Sequence, residues 1–306
     1  YDGDGDEWID IKDHEYKPTT NVSEHFNTVT YDGDGAASRD ITSVGFVPDL
    51  VWIKKRANDT KSHRLCDVVR GANKLLYSNN NLQEGSPTTE IKAFITDGFT
   101  IGNASGVNDG TAGDKYVAWC FKAGGAPSGS DKVSIGGTSY STMTAAGLTD
   151  GTEPIDKLSV NTKLGFSIVK YTGNALTADT VAHGLGESPE MIILKSTSVD
   201  RNWNVYHKGV GLSKNLHLDT TDAASSGEYW TVNSNTFSIQ DYSASADWIA
   251  YCFASKRGVS KVGSYIGTGA AGNKVYTGFE PAFIMTKRTS PAGDNWNIID
   301  NVRDTD

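Results

Sequence analysis

The alternating carboxylates at the start of the chain are the residues best suited to chemistry. Asp2, Asp4 and Asp6 recur every second residue, and Asp13 falls at the twelfth position of a loop begun at Asp2, the ligand rhythm of a calcium loop. Glu7, however, occupies the sixth position, where the sharp turn wants Gly, and the bidentate ligand of such loops is Glu rather than Asp. Related turns follow at Tyr31-Asp32-Gly33-Asp34-Gly35, Tyr171-Thr172-Gly173-Asn174 and Tyr265-Ile266-Gly267-Thr268, and the acids fade along that series. Tyr and the Gly after it persist, as in a hairpin turn that needs positive φ. The turns therefore read as geometry, with no metal and no cofactor expected. If calcium did bind, it would sit at Asp2, Asp4, Asp6, Asp32 and Asp34.

Other chemistry is sparse. Cys120 and Cys252 occupy matching, aromatic-flanked strands, and Cys66 fills a slot that Tyr206 and Ile299 take elsewhere, so all three read as small buried hydrophobes. The six histidines lack metal-ligand spacing, and neither a Gly-x-Ser-x-Gly elbow nor a Walker loop occurs. Glycoside hydrolysis needs two carboxylates across a cleft. The acidic pattern that recurs is instead Asp67 with Arg70 and Asp300 with Arg303, an i, i+3 pairing that reads as structural in the first and third copies and is missing from the middle one. Trp52, Trp203, Trp230, Trp248 and Trp296 could stack on sugar rings, but Trp52 lies in an apolar strand and reads as core. Tyr229 and Trp230, in a polar Ser/Gly-rich loop, are the expected glycan contacts.

These residues sit on elements that repeat. Each unit opens with an alternating strand and the Tyr-x-Gly turn: Phe26 to Gly33, Phe166 to Gly173, then Val262 to Gly267. A Pro-led apolar strand ending in a cation comes next: Pro48-Asp49-Leu50-Val51-Trp52-Ile53-Lys54, Pro189 to Lys195, and Pro281 to Lys287. Its continuous apolar run suits burial on both faces. From each Pro the next landmark lies 14 or 15 residues on, at His63, Trp203 and Trp296. Two closing strands follow in the first two copies, ending in Tyr116-Val117-Ala118-Trp119-Cys120-Phe121 and Trp248-Ile249-Ala250-Tyr251-Cys252-Phe253. The third copy stops at Asp306 before reaching them; another segment or chain is expected to supply them. The expected fold is all-β, with tandem β-sandwich (jelly-roll or lectin-like) units joined by Gly/Ser-rich linkers. Residues 1–25 read as the tail of a preceding segment, 26–123 as the first repeat and 124–162 as a linker with a small β/turn insert. Residues 163–257 read as the second repeat and 258–306 as a partial third. Helical periodicity is fair only over residues 68–77, where Gly71 and Asn73 weaken it.

Composition excludes several partners. The net charge is −9 and the longest cationic cluster is Lys54-Lys55-Arg56, which argues against nucleic acid. No apolar stretch approaches a membrane span. The first residue is Tyr1, and the chain reads as cut from something longer.

The strings at residues 45–56, Asp67-Val68-Val69-Arg70-Gly71-Ala72-Asn73 and residues 116–121 resemble a repeated domain of virion structural proteins from marine tailed phages, including cyanophages. Residues 133–173 are similar to stretches of the same proteins, and the resemblance spans roughly residues 26 to 306. It implies a tail-fibre, tail-appendage or capsid-fibre protein with lectin-like sandwiches, and brings no catalytic motif. The expectation is a non-enzymatic virion protein, assembled in the host cytoplasm and exposed on the particle. Its partners would be other virion proteins, copies of itself (trimers, as in phage fibres) and host-surface polysaccharide held by multivalent display. Sparing cysteine use fits a reducing cytoplasm. The alternatives are a polysaccharide depolymerase or lyase on the same scaffold, and an architectural fibre component without a ligand.

Overall fold

The strands that follow Pro48, Pro189 and Pro281 organise the fold. A computed structural model describes residues 22–56, 60–111, 113–173, 179–227, 229–240 and 245–303. The first strand set comprises β1 (Phe26–Asp32), β2 (Arg39–Ile41), β3 (Leu50–Lys55), β4 (Arg64–Asp67), β5 (Ile91–Ile95), β6 (Gly98–Ile101) and β7 (Lys115–Phe121). They form an antiparallel sheet β1-β7-β3-β4 and a smaller sheet β2-β6-β5.

Next come β8 (Val133–Ile135), β9 (Thr138–Tyr140) and β10 (Ile155–Asn161). The second set follows: β11 (Phe166–Thr172), β12 (Val181–Ala182), β13 (Met191–Ser196), β14 (Asn204–His207), β15 (Lys214–His217), β16 (Ser225–Ser226), β17 (Trp230–Val232), β18 (Thr236–Ile239) and β19 (Asp247–Phe253). Within its large sheet the order β11-β19-β13-β14 repeats β1-β7-β3-β4. Register agrees as well: Leu50 lies opposite Phe121 and Asp67, and Met191 opposite Phe253 and His207. A third set contributes the hairpin β20 (Phe283–Thr286) and β21 (Asn297–Asp300), with Phe283 opposite Asp300. The architecture is all-β in several sheets, with no α-helix among the described residues.

Alternation along the Pro-led strands decides the layers. Val51 and Ile53 join an outer core with Ile41, Phe99 and Cys120, while Leu50 and Trp52 face a second core. In the next set Ile192 and Leu194 join a third core with Trp230 and Phe237, and Ile193 faces that same second core. Burying each such side chain contributes about 1.5–3 kcal/mol, which is why both faces of the strand are apolar. The cation ending each strand grips the following hairpin loop. Lys54 Nζ donates to the Lys61 carbonyl (2.8 Å), Lys195 Nζ to Arg201 (2.6 Å) and Lys287 Nζ to Asp294.

The weak helical periodicity of residues 68–77 yields no helix: the chain turns at Gly71 (φ 97°) and Asn73 (φ 63°), both left-handed, and Leu75 and Leu76 make β-bridges with Gly85 and Leu65. Two expectations change. Residues 124–162 are less a linker than an extension of the second sheet, since β10 pairs with β11 and β8 runs parallel to β10. The buried Asp49 carboxylate holds their start by accepting the N–H groups of Ala123 (2.7 Å) and Gly125 (3.1 Å). Finally, Gly33 is required for close approach rather than for positive φ: a Cβ there would lie 2.0 Å from the Asp109 carbonyl oxygen. The adjacent Tyr31 stacks on Tyr116 at 5.2 Å and donates to the Val107 carbonyl.

Candidate functional site

Asp67 ends β4, and its carboxylate turns back on the chain. Oδ1 accepts the N–H groups of Val69 (3.1 Å) and Arg70 (2.9 Å), and Oδ2 accepts Arg70 Nε (2.6 Å). Asp300 ends β21 and repeats the arrangement with Val302 (3.1 Å), Arg303 N–H (2.8 Å) and Arg303 Nε. Each guanidinium then reaches a carbonyl of the preceding strand, Leu65 for Arg70 (3.2 Å) and Ile298 for Arg303 (2.7 Å). The sequence motif is thus an Asx turn locked by its own arginine.

What completes each pair comes from a different strand set. Tyr251 Oη donates to Asp67 Oδ2 (2.8 Å), and Trp119 Nε1 donates to Asp300 Oδ2 (3.0 Å). Tyr251 and Trp119 are the fifth residues of β19 and β7, so the two seams use one position. Trp203 Nε1 donates to the carbonyls of Tyr77 (2.9 Å) and Asn80 (3.2 Å), and Trp296 Nε1 to that of His217 (2.8 Å). The donors run from second set to first, first to third, and third to second. The three sets thereby close a ring around one shared core of Leu50, Trp119, Ile193 and Tyr251 among others, with the half-buried Phe283 and Ile298 packed against it.

Electrostatics keep these groups in their bonding states. Burial works against the Arg70 charge, but Asp67 beside it raises the pKa well above the ordinary value. For Asp300, burial pushes the pKa up, yet hydrogen bonds from Arg303 N–H and Trp119 hold it below the usual carboxylate range. Burial raises Tyr251, keeping its phenol a neutral donor. At the matching place in the second set, His207 and Val210 replace the Asp and Arg.

The other expected site residues scatter. Trp230 is 2 % exposed and packs between Tyr206 (5.8 Å) and Phe237 (6.5 Å), with Nε1 donating to Asn215 Oδ1 (3.3 Å). The expectation of an exposed Trp230 is corrected: the polar loop ends at Tyr229, and Trp230 begins a strand packed into the second set's own core with Ile192 and Leu194. Tyr229 is exposed. Trp52 is core, donating Nε1 to His63 Nδ1 (2.8 Å). Asp32 pairs with Lys115 (3.1 Å), while Asp34 accepts the Ala36 N–H and Asn108 Nδ2, both at 2.9 Å. Asp2, Asp4 and Asp6 lie outside the described residues. No group of three His, Cys, Asp or Glu suited to a metal occurs among the described residues. EDTA is expected to leave the melting temperature unchanged; a large drop restored by calcium would return the Asp-Gly turns to metal chemistry.

Burial pushes all three thiols up, Cys66 and Cys252 to about 12, so none offers a thiolate near neutrality. The histidines give a pH dependence instead. His183 Nδ1 accepts the Leu185 N–H (3.2 Å) and Nε2 meets the Asn233 carbonyl (3.1 Å), an arrangement that holds the ring neutral. Burial lowers its pKa from 6.5 to about 4, with the Asn233 bond partly opposing. Between those values the unfolded chain binds a proton that the folded one refuses, so stability falls as pH falls. At about 1.4 kcal/mol per unit the loss reaches about 3 kcal/mol near pH 4. His25 and His207, also lowered chiefly by burial, act in the same sense. Unfolding curves for the parent and His183→Gln between about pH 7 and 4.5 check this, with the variant expected to show the shallower slope.

Sequence reasoning missed Tyr251, Trp119 and the buried amine of Lys195, whose pKa burial lowers to about 8. The available signal was a polar-tipped aromatic at the fifth place of two strands that share one residue order.

A family model described as a domain of unknown function, DUF7483, matches residues 21–306. The chain belongs to that family. No curated protein and no solved structure matches it. The DUF7483 match takes in all three strand sets and both Asp-Arg seams, so the ring lies wholly inside the family domain.

Proposed function

We propose that this DUF7483 chain is a non-enzymatic structural protein of a virion surface, built of tandem β-sandwich repeats and contacting host glycans by multivalent display. The observation that carries this reading is where the polar chemistry is used: the buried Asp-Arg pairs and polar-tipped aromatics join one strand set to the next. Recurrence of one strand order supports the repeat reading. The resemblance to marine tailed-phage proteins supports a tail fibre, appendage or capsid fibre. Tyr229, exposed just before β17, is the contact residue, with Trp230 acting only as its buried anchor. Weak single contacts become useful when an oligomer presents many copies at once.

Glycan arrays probed with the assembled protein test this. Tyr229→Ala is expected to weaken retention about tenfold, in line with about 0.5–1.5 kcal/mol per aromatic contact summed over copies. Sustained release of reducing ends from host-type polysaccharide would overturn the reading in favour of a depolymerase. Complete lack of retention would overturn the glycan contact and leave an architectural component.

A further inference from the structure

The hairpin β20-β21 keeps the register of β3-β4 and β13-β14, but not their neighbours. In the first two sets the other edge of the Pro-led strand pairs along its length with β7 or β19, as in Leu50 opposite Phe121 and Met191 opposite Phe253. Among the described residues β20 pairs only with β21. The opening strands β1 and β11 likewise take the far edge of β7 or β19. Their counterpart, residues 262–267, forms no strand, and Tyr265 and Ile266 are 58 % and 88 % exposed. Outward apolar positions tell the same story. Ile284 and Ile299 are 38 % and 49 % exposed, whereas Val51, Cys66 and Ile192 at the equivalent places are fully buried. A groove of about 1610 Å³ runs along this region, lined by Val262, Tyr265, Ile266, Phe283, Met285 and His207, among others.

We infer that this groove binds one β-strand of the β7/β19 type, antiparallel between β20 and residues 262–267, from a polypeptide segment other than β7 and β19 themselves. The partner's chemistry follows from the two strands already in place. Lys115 to Phe121 and Asp247 to Phe253 share one seven-residue order: charged, aromatic, β-branched, Ala, polar-tipped aromatic, Cys, Phe. Bound in the same register, its final Phe lies opposite Phe283, its Cys opposite Ile284 and its second aromatic opposite Met285. Main-chain hydrogen bonds to both edges supply affinity, and alternate side chains supply specificity, as in strand addition generally. An unpaired edge flanked by apolar side chains is otherwise an aggregation hazard. The ring also defines where the fifth residue goes. Tyr251 meets the Asp67 turn and Trp119 the Asp300 turn, so the third donor points at the second set, where the turn carries His207 and Val210. A carboxylate is absent at that turn, so the third seam tolerates an aromatic without a donor.

The test adds a labelled peptide of the sequence of residues 115–121, with lysines at both ends for solubility, to the full chain under reducing conditions. Amide hydrogen exchange is then followed at residues 264–267 and 283–287. Saturable binding is expected, with exchange at both stretches slowed about tenfold or more, because both strand edges gain hydrogen bonds. A scrambled peptide should have no effect. Ile284→Asp, at a position already exposed, should leave the fold intact and abolish binding. Three results would overturn the proposal: no slowing at saturating peptide, equal slowing by the scrambled peptide, or a dimer of the chain alone in which both stretches are already protected.

Discussion

Arg70→Ala is expected to destabilise the protein by about 3–5 kcal/mol, the range for removing one partner of a buried ion pair. The Arg70 and Asp67 side chains are 1 % and 0 % exposed, so the carboxylate would be left in a dry seam with Tyr251 as its remaining side-chain donor. The same change removes one of the two cations on Glu84, which Arg70 Nη1 holds at 3.1 Å, and leaves Lys74 Nζ at 3.2 Å. Arg70→Lys should recover little, because a point charge cannot make the planar fork that serves Asp67, Glu84 and the Leu65 carbonyl together. Arg303→Ala should cost less, about 1–3 kcal/mol, since that side chain is 20 % exposed and water can partly replace it. Denaturant unfolding of the three variants measures the order. Arg70→Ala retaining parent stability while losing glycan retention would mark the residue as a recognition group rather than a brace.

Trp203→Ala should produce a loss of similar size, about 3–5 kcal/mol, as for other large-to-small changes in close-packed cores. Trp203 is fully buried, stacks on Tyr251 with ring centres 6.5 Å apart, and donates to two carbonyls of the first strand set. Removing it opens a cavity next to the Asp67 seam and leaves the Tyr77 and Asn80 carbonyls without that donor. Trp203→Phe separates the two effects: most packing survives, and the loss should shrink to about 1–2 kcal/mol from the indole hydrogen bonds. Because Tyr251 links the two residues, the double variant Arg70→Ala/Trp203→Ala should cost less than the sum of its parts. Strict additivity, or a Trp203→Ala effect below about 1 kcal/mol, would contradict a shared seam.

How far the sequence carries can be traced through particular residues. Leu50-Val51-Trp52-Ile53 announces a strand buried on both faces, because no polar residue interrupts it and Pro48 marks where it begins. The offsets from Pro48, Pro189 and Pro281 to His63, Trp203 and Trp296 announce that three stretches repeat, and the structure makes each of them a hairpin in matching register. The thiols of Cys120 and Cys252 read as core from their aromatic flanks, and their raised pKa agrees. Asp67 with Arg70 reads as an ion pair, because i, i+3 spacing is local.

Tertiary structure alone decided the partners. Asp67 and Tyr251 are 184 residues apart, and Trp119 and Asp300 are 181 apart; nothing in either local string names the other. Trp230 sits one residue from the exposed Tyr229 and is buried, because Tyr229 ends the loop, Trp230 begins β17, and only that strand's position in the fold says which of its faces is core. Residues 123–130 resemble a linker in composition and a small β/turn insert follows them, yet the strands after them join the second sheet through backbone pairing that composition does not encode. Periodicity along the chain therefore determined which faces of this protein are apolar. Only the closing of three strand sets into a ring determined what those faces meet, because contact between distant segments depends on geometry that local spacing does not carry.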